Sequence, residues 1–153
     1  MQLRTDFIQA DRQAWMKELA LANFAELEIL WQQFTNKPEF KYLRATDSGL
    51  LQVQGKLGNT GDRFNMGDIT ITRSSISLAN GINGFAFVQG RNKQHADLAA
   101  IIDAIMQSDL ATNAQTALIA PLQAARLERL KTATAATLQT KVDFFTLVRG
   151  EDE

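Results

Sequence analysis

Cysteine is absent from this 153-residue chain. Its absence excludes disulfides, thiolate zinc sites, cysteine-held iron–sulfur clusters and a cysteine nucleophile. Histidine occurs once, at His95. A metal site would therefore lean on carboxylates, and no ligand spacing for one is visible. Charge of either sign is not in excess: 16 Lys and Arg face 17 Asp and Glu, a formal net charge of -1. The basic surplus that grips nucleic-acid phosphates is missing, so neither DNA nor RNA is expected as a partner. No run reaches the roughly 18 apolar residues of a membrane span. Arg4, Asp6, Asp11, Arg12, Lys17 and Glu18 interrupt the N-terminal stretch, which holds no secretory apolar region. A cytoplasmic location is the expectation.

Apolar residues make up 45% and charged residues 22%, an ordinary globular balance at a length suited to one domain, 1–153. Trp15, Met16, Leu19 and Ala20 recur at helical spacing, predicting a helix over 9–22. Asn23 with Glu26 opens a second, whose face is Phe24, Leu27, Trp31 and Phe34 and whose end is Asn36-Lys37-Pro38. The middle turns to period two. Phe40 and Tyr42 mark a first strand, Thr46-Asp47-Ser48-Gly49 a turn, and Leu51, Val53 and Leu57 a second strand. A third starts at Asp68, where Ile69 and Ile71 lie on one parity and Ile76 and Leu78 on the other. That slip implies a bulge near Arg73-Ser74-Ser75. Asn80-Gly81 signals a tight hairpin. The run Phe85 to Val88 reads as a fourth strand covered on both faces. Helical period returns with Leu98, Ile101, Ile102, Ile105 and Met106, and Pro121 suits the first turn of a helix to about residue 140. The expected fold is α+β: an N-terminal helix pair, a four-stranded antiparallel sheet, and C-terminal helices packing on it.

Two polar, glycine-punctuated segments carry the candidate chemistry. In the first, about ten residues from Gly58 to Gly67, Gly58, Thr60 and Gly61 can turn backbone amides toward an anion and Arg63 adds a charged fork. A structural loop held by Thr60, Asp62 and Asp68 is the plainer alternative. In the second, Val88 to Ala96, Arg91 and Lys93 flank a helix start, where free amides favour anions. His95 borders the apolar stripe of that helix, which favours a half-buried structural histidine over a ligand. Arg73 lies between the segments. Ser74, Ser75 and Ser77 sit on a strand without a nucleophile elbow, and no catalytic residue can be assigned. Near the C-terminus, Asp143 to Val148 is either a last buried strand or a docking arm, with Phe144, Phe145 and the following Arg149 as candidate partner contacts.

The chain resembles the PhnG family, the small subunit of the bacterial carbon–phosphorus lyase system. The likeness lies in Arg12-Gln13 with Trp15-Met16, Gly49-Leu50 through Gln54, Gly58 with Thr60 to Phe64, Gly67-Asp68 and Thr72-Arg73. It continues through Val88 to Arg91, Lys93 to Ala96, Asp103-Ala104, Leu118 to Leu122, Val142 to Thr146 and Val148 to Gly150. The resemblance implies a cytoplasmic hetero-oligomer with PhnI, PhnH and PhnJ, served functionally by PhnL. That system replaces the adenine of ATP by a phosphonate, giving ribose 1-methylphosphonate 5-triphosphate. It further implies that PhnI carries the nucleosidase chemistry and PhnJ the radical cleavage of the carbon–phosphorus bond. ATP is then a substrate of the assembly, and no cofactor is expected on this chain. The rival expectation is a stand-alone phosphoester- or nucleotide-processing enzyme using the Gly58 loop and His95.

Overall fold

The helical repeat that starts at Leu98 forms the helix around which the other elements are arranged. The computed structural model describes residues 2–58 and 61–139. In chain order the elements are α1 (Gln2–Leu21), α2 (Phe24–Gln33), β1 (Phe40–Lys56), β2 (Arg63–Leu78), β3 (Asn83–Gln89), α3 (Lys93–Ile105), α4 (Ala111–Ala114), a π-helical turn (Gln115–Ile119) and α5 (Ala120–Gln139). Asn92 caps α3 by accepting the His95 N–H at 3.0 Å, which satisfies an amide that the helix start leaves free. One side of α3 lies on β2 and β3, and the other meets α1 and α2. Ala96, Ala99, Ala100 and Ala104 keep the helix close to its neighbours, while Ile101, Ile102 and Ile105 fill the core. Ile102 is fully buried. Trimming it to valine is expected to lower unfolding free energy by about 1 kcal/mol in a urea titration.

The described sheet has three antiparallel strands in the order β1-β2-β3, not the four expected. The first two expected strands are one, because Thr46-Asp47-Ser48-Gly49 does not turn. Asp47, Ser48 and Gly49 pair with Arg73, Thr72 and Ile71, and Gly49 keeps an ordinary backbone. The polar side chains that suggest a turn are drawn instead into contacts across the sheet. The expected bulge at 73–75 also lies elsewhere: the ladder of β2 with β3 is unbroken from Ile71 to Ser77, and in the β1–β2 ladder two irregularities fall in β1, opposite residues 73–76, and a third falls in β2 at Met66. Thr72 and Ser74 share the buried face with Ile76 and Leu78, so the parity slip records polar residues turned inward. Strand β3 alternates instead of being covered twice; Gly84, Ala86 and Val88 face α3 while Phe85 and Phe87 remain on the open face.

The β2–β3 hairpin closes at Gly81, which takes φ 84°, while Ile82 N–H donates to Asn80 Oδ1 at 3.1 Å. At the C-terminal end the π-helical turn has a local cause. Pro121 supplies no N–H and its ring crowds the carbonyl four residues back. The turn before it widens, and Ala120 N–H donates to Gln115 O, five residues back. Arg126 Nε and Nη2 hold Glu18 at 2.7 and 2.8 Å, fastening α5 to α1. From Glu128 to Thr137 the described side chains of α5 are exposed, consistent with its thin apolar stripe.

Candidate functional site

The first polar segment is the tip of a long hairpin. Strand β2 begins at Arg63, which pairs with Lys56, so the connection is shorter than the expected loop to Gly67. Gly61 N–H donates to Leu57 O at 3.0 Å, and Gly58 adopts φ 64°. Arg63 is exposed there. Thr60, Phe144, Phe145 and Arg149 lie outside the described residues.

The second segment sits far from that tip. Gly90 N–H donates to Thr70 O at 2.9 Å, which fixes the start of the segment beside Thr70. Arg63 is seven residues farther along β2, about 23 Å away at about 3.3 Å per residue. The two segments therefore do not share one pocket. Arg91 and Lys93 are exposed on either side of the cap residue Asn92, and neither forms an ion pair with a described residue. His95 points the other way. It is 5% exposed, its Nε2 lies 2.8 Å from the Leu19 carbonyl oxygen, and its ring centroid is 5.9 Å from that of Phe24. The imidazole thus ties α3 to α1 inside the core. It is more buried than its sequence position at the stripe border implies.

Arg73 occupies the open face in mid-sheet, where its Nε and Nη2 donate to the two Asp47 oxygens at 2.9 and 3.0 Å. Arg44 adds a third contact at 3.1 Å. The Arg73 hydrogen bond is the main reason that the Asp47 carboxyl titrates below the usual carboxylate range. Since the folded value is the lower one, this pairing favours the fold at neutral pH, and that contribution fades as acid protonates Asp47.

Two carboxylates on α3, neither among the candidate site residues read from sequence, organise the polar interior. Asp97 accepts from Ser74 Oγ at 2.7 Å, from Tyr42 OH at 3.2 Å, and from Thr46 Oγ1. Burial first, and the Asp97 charge second, push the Tyr42 phenol up. Beside this cluster Ser48 and Thr72 hydroxyls meet at 2.8 Å, and Thr72 Oγ1 donates to Gly90 O at 2.7 Å. Ser74 is 4% exposed and its proton goes to Asp97, an arrangement that stitches α3 to the sheet and keeps this hydroxyl from solvent. Asp103 has no solvent exposure. It accepts from Arg12 Nε and Nη2 at 3.1 and 2.6 Å, Trp15 Nε1 at 2.9 Å and Phe85 N–H at 3.0 Å. A lone acid on the apolar face of α3 was the available signal for Asp103. The cross-strand alignment of Thr46 and Ser48 with Ser74 and Thr72 was hidden by the turn reading.

Among the described residues there is no group of three or more His, Asp or Glu side chains able to hold a metal, and no helix long and apolar enough to cross a membrane. The concavities are open. One of about 230 Å³ lies over Arg73, Phe85 and Phe87, and another of about 530 Å³ lies between α1 and the π-helical turn, lined by Trp15, Met106, Gln115 and Ile119. Arg12 reaches over the Phe85 ring at 5.8 Å. The whole offers cations and apolar side chains on open faces, the chemistry of a contact surface. Residues 10–150 match the family described as "Phosphonate metabolism protein PhnG". Over 144 residues, 94% of this chain and 92% of its relative, the sequence is 41% identical to the Alpha-D-ribose 1-methylphosphonate 5-triphosphate synthase subunit PhnG of Rhizobium meliloti (strain 1021).

Proposed function

Because the chain belongs to the PhnG family, we propose that it is an accessory subunit of an alpha-D-ribose 1-methylphosphonate 5-triphosphate synthase in phosphonate catabolism. In this reading it works in the cytoplasm inside a hetero-oligomer with PhnI, PhnH and PhnJ, and functionally with PhnL. ATP and a phosphonate are substrates of the assembly, and this chain needs no cofactor of its own. The observation that carries the reading is where the family's polar residues stand. His95 is committed to the Leu19 carbonyl, while Arg63, Arg91 and Lys93 face outward on two separated surfaces. Residues so placed serve contacts with another chain, or with phosphates held by another chain, better than they serve an active site within this one.

Alanine at both Arg63 and Arg91 tests the proposal in the co-expressed complex. Assembly, read by size-exclusion chromatography, or ATP-dependent adenine release is expected to fall about tenfold, the loss of roughly one charge-assisted contact. Normal values for both would remove these arginines from the function. ATP titrated into the purified chain alone should show neither tight binding nor turnover; either result would favour the stand-alone enzyme.

A further inference from the structure

Strand β3 covers β2 only from Ile71 to Ser77. At Gly90 the backbone takes φ 95° and leaves the sheet for α3. Glycine suits that exit because a side chain at this φ is strained. Positions 63–69 of β2 run on past the exit and, among the described residues, pair with β1 alone, in a ladder that skips Met66. A two-stranded ribbon is marginal in water, and a bare strand edge is a template for another strand.

The ribbon is also apolar where it is uncovered. Leu51, Phe64 and Met66 are 50%, 43% and 66% exposed. Leu51 lies opposite Ile69, and Met66 folds over Gly55 so closely that a Cβ there would stand 2.6 Å from its sulfur. Phe87, 57% exposed, continues the same face on the main sheet. Uncovered apolar rows of this kind mark association surfaces. Arg91 and Lys93 stand just beyond Gly90, where the vacated strand position begins.

We infer that another subunit of the synthase lays an extended segment along residues 63–69 of β2, in line with β3. Its apolar side chains alternate against Leu51, Phe64 and Met66, and a carboxylate at its near end meets Arg91 and Lys93. This rests on the subunit reading. A second copy of this chain is the poorer occupant, because antiparallel pairing of two β2 edges about Met66 sets Arg63 of one beside Arg91 of the other, and like charges so placed repel. The main-chain groups are available: Thr70 O faces the β3 side, and strand alternation puts the Asp68 N–H and C=O on that side too.

The full chain is captured with the co-expressed synthase subunits, as wild type and as Met66→Glu, Asp68→Pro and Leu130→Glu. Met66→Glu adds charge to the apolar row; Asp68→Pro removes an N–H from the open edge without touching the β1 ladder. Each is expected to weaken capture at least tenfold, whereas Leu130→Glu, on exposed α5, leaves it unchanged. An unchanged melting temperature for Met66→Glu separates docking from folding, and that variant decides the matter if Asp68→Pro unfolds. Capture of Met66→Glu equal to wild type overturns the inference and leaves the subunit reading standing. Wild-type chain that is not captured at all removes both. A homodimer dissolved by Met66→Glu would assign the edge to a second copy and overturn the inference as well.

Discussion

Replacing Asp103 by alanine is expected to lower unfolding free energy by about 3 kcal/mol, because one buried acceptor on α3 serves donors from α1, from β3 and from Gln107 just past its own helix. The Phe85 amide and the Trp15 indole lose a partner at 3.0 and 2.9 Å. Gln107 loses a weaker one at 3.3 Å. Arg12 is 30% exposed along its side chain and recovers part of its loss from water, which keeps the figure below that for a fully buried pair. Asparagine at 103 keeps an oxygen acceptor but not the charge, and about half the loss should remain. Urea denaturation followed by tryptophan fluorescence checks both, with the slope unchanged if the unfolded state is unaffected. A loss under about 1 kcal/mol for the alanine variant would mean that Asp103 does not join the three elements energetically.

Gly84→Ala is the second large effect. The new methyl group would collide with the Ala100 carbonyl oxygen and come within 2.9 Å of both Ala104 Cβ and Ala104 N. Those are atoms of the central helix, so no side chain can rotate away to make room. Moving α3 off β3 disturbs the most densely buried part of the core, and a loss of about 3 kcal/mol is expected, with valine abolishing the fold. Alanine elsewhere in a strand should be nearly neutral at Gly49, where a Cβ meets nothing within 4 Å. Paired thermal melts of the two alanine variants test the contrast, and equal melting temperatures would refute the close approach.

How much of this was legible from sequence follows the range of each interaction. The helices were readable because the apolar spacings of Trp15 to Ala20 and Leu98 to Met106 are local. The Asn92 and Asn23 caps each act within three residues. The strand count failed at Thr46-Asp47-Ser48-Gly49, whose composition favours a turn in isolation. What straightens it is Arg73, Thr72 and Asp97, all more than twenty residues away. Phe85 and Phe87 misled for a related reason, since apolar residues on both parities look buried when no cue says that one face lacks a cover. For the candidate site, the cations and the histidine were found by type, but their separation was not. It depends on β3 stopping at Gln89 while β2 continues to Arg63, a fact of register and not of composition.

The ion partners of the N-terminal helices have a consequence for the order of folding. Arg12 meets Asp103, Glu18 meets Arg126 and Glu26 meets Arg129, separations of 91, 108 and 103 residues. While the polypeptide is being synthesised, α1 and α2 leave the ribosome with their charges unmatched and wait for the latter part of the chain. An N-terminal fragment ending before α3 keeps the contact of α1 with β3 but lacks the helix that both α1 and α2 pack against. The domain therefore closes late, by long-range loop closure between its two ends, and its folding should be slower than its helix content suggests.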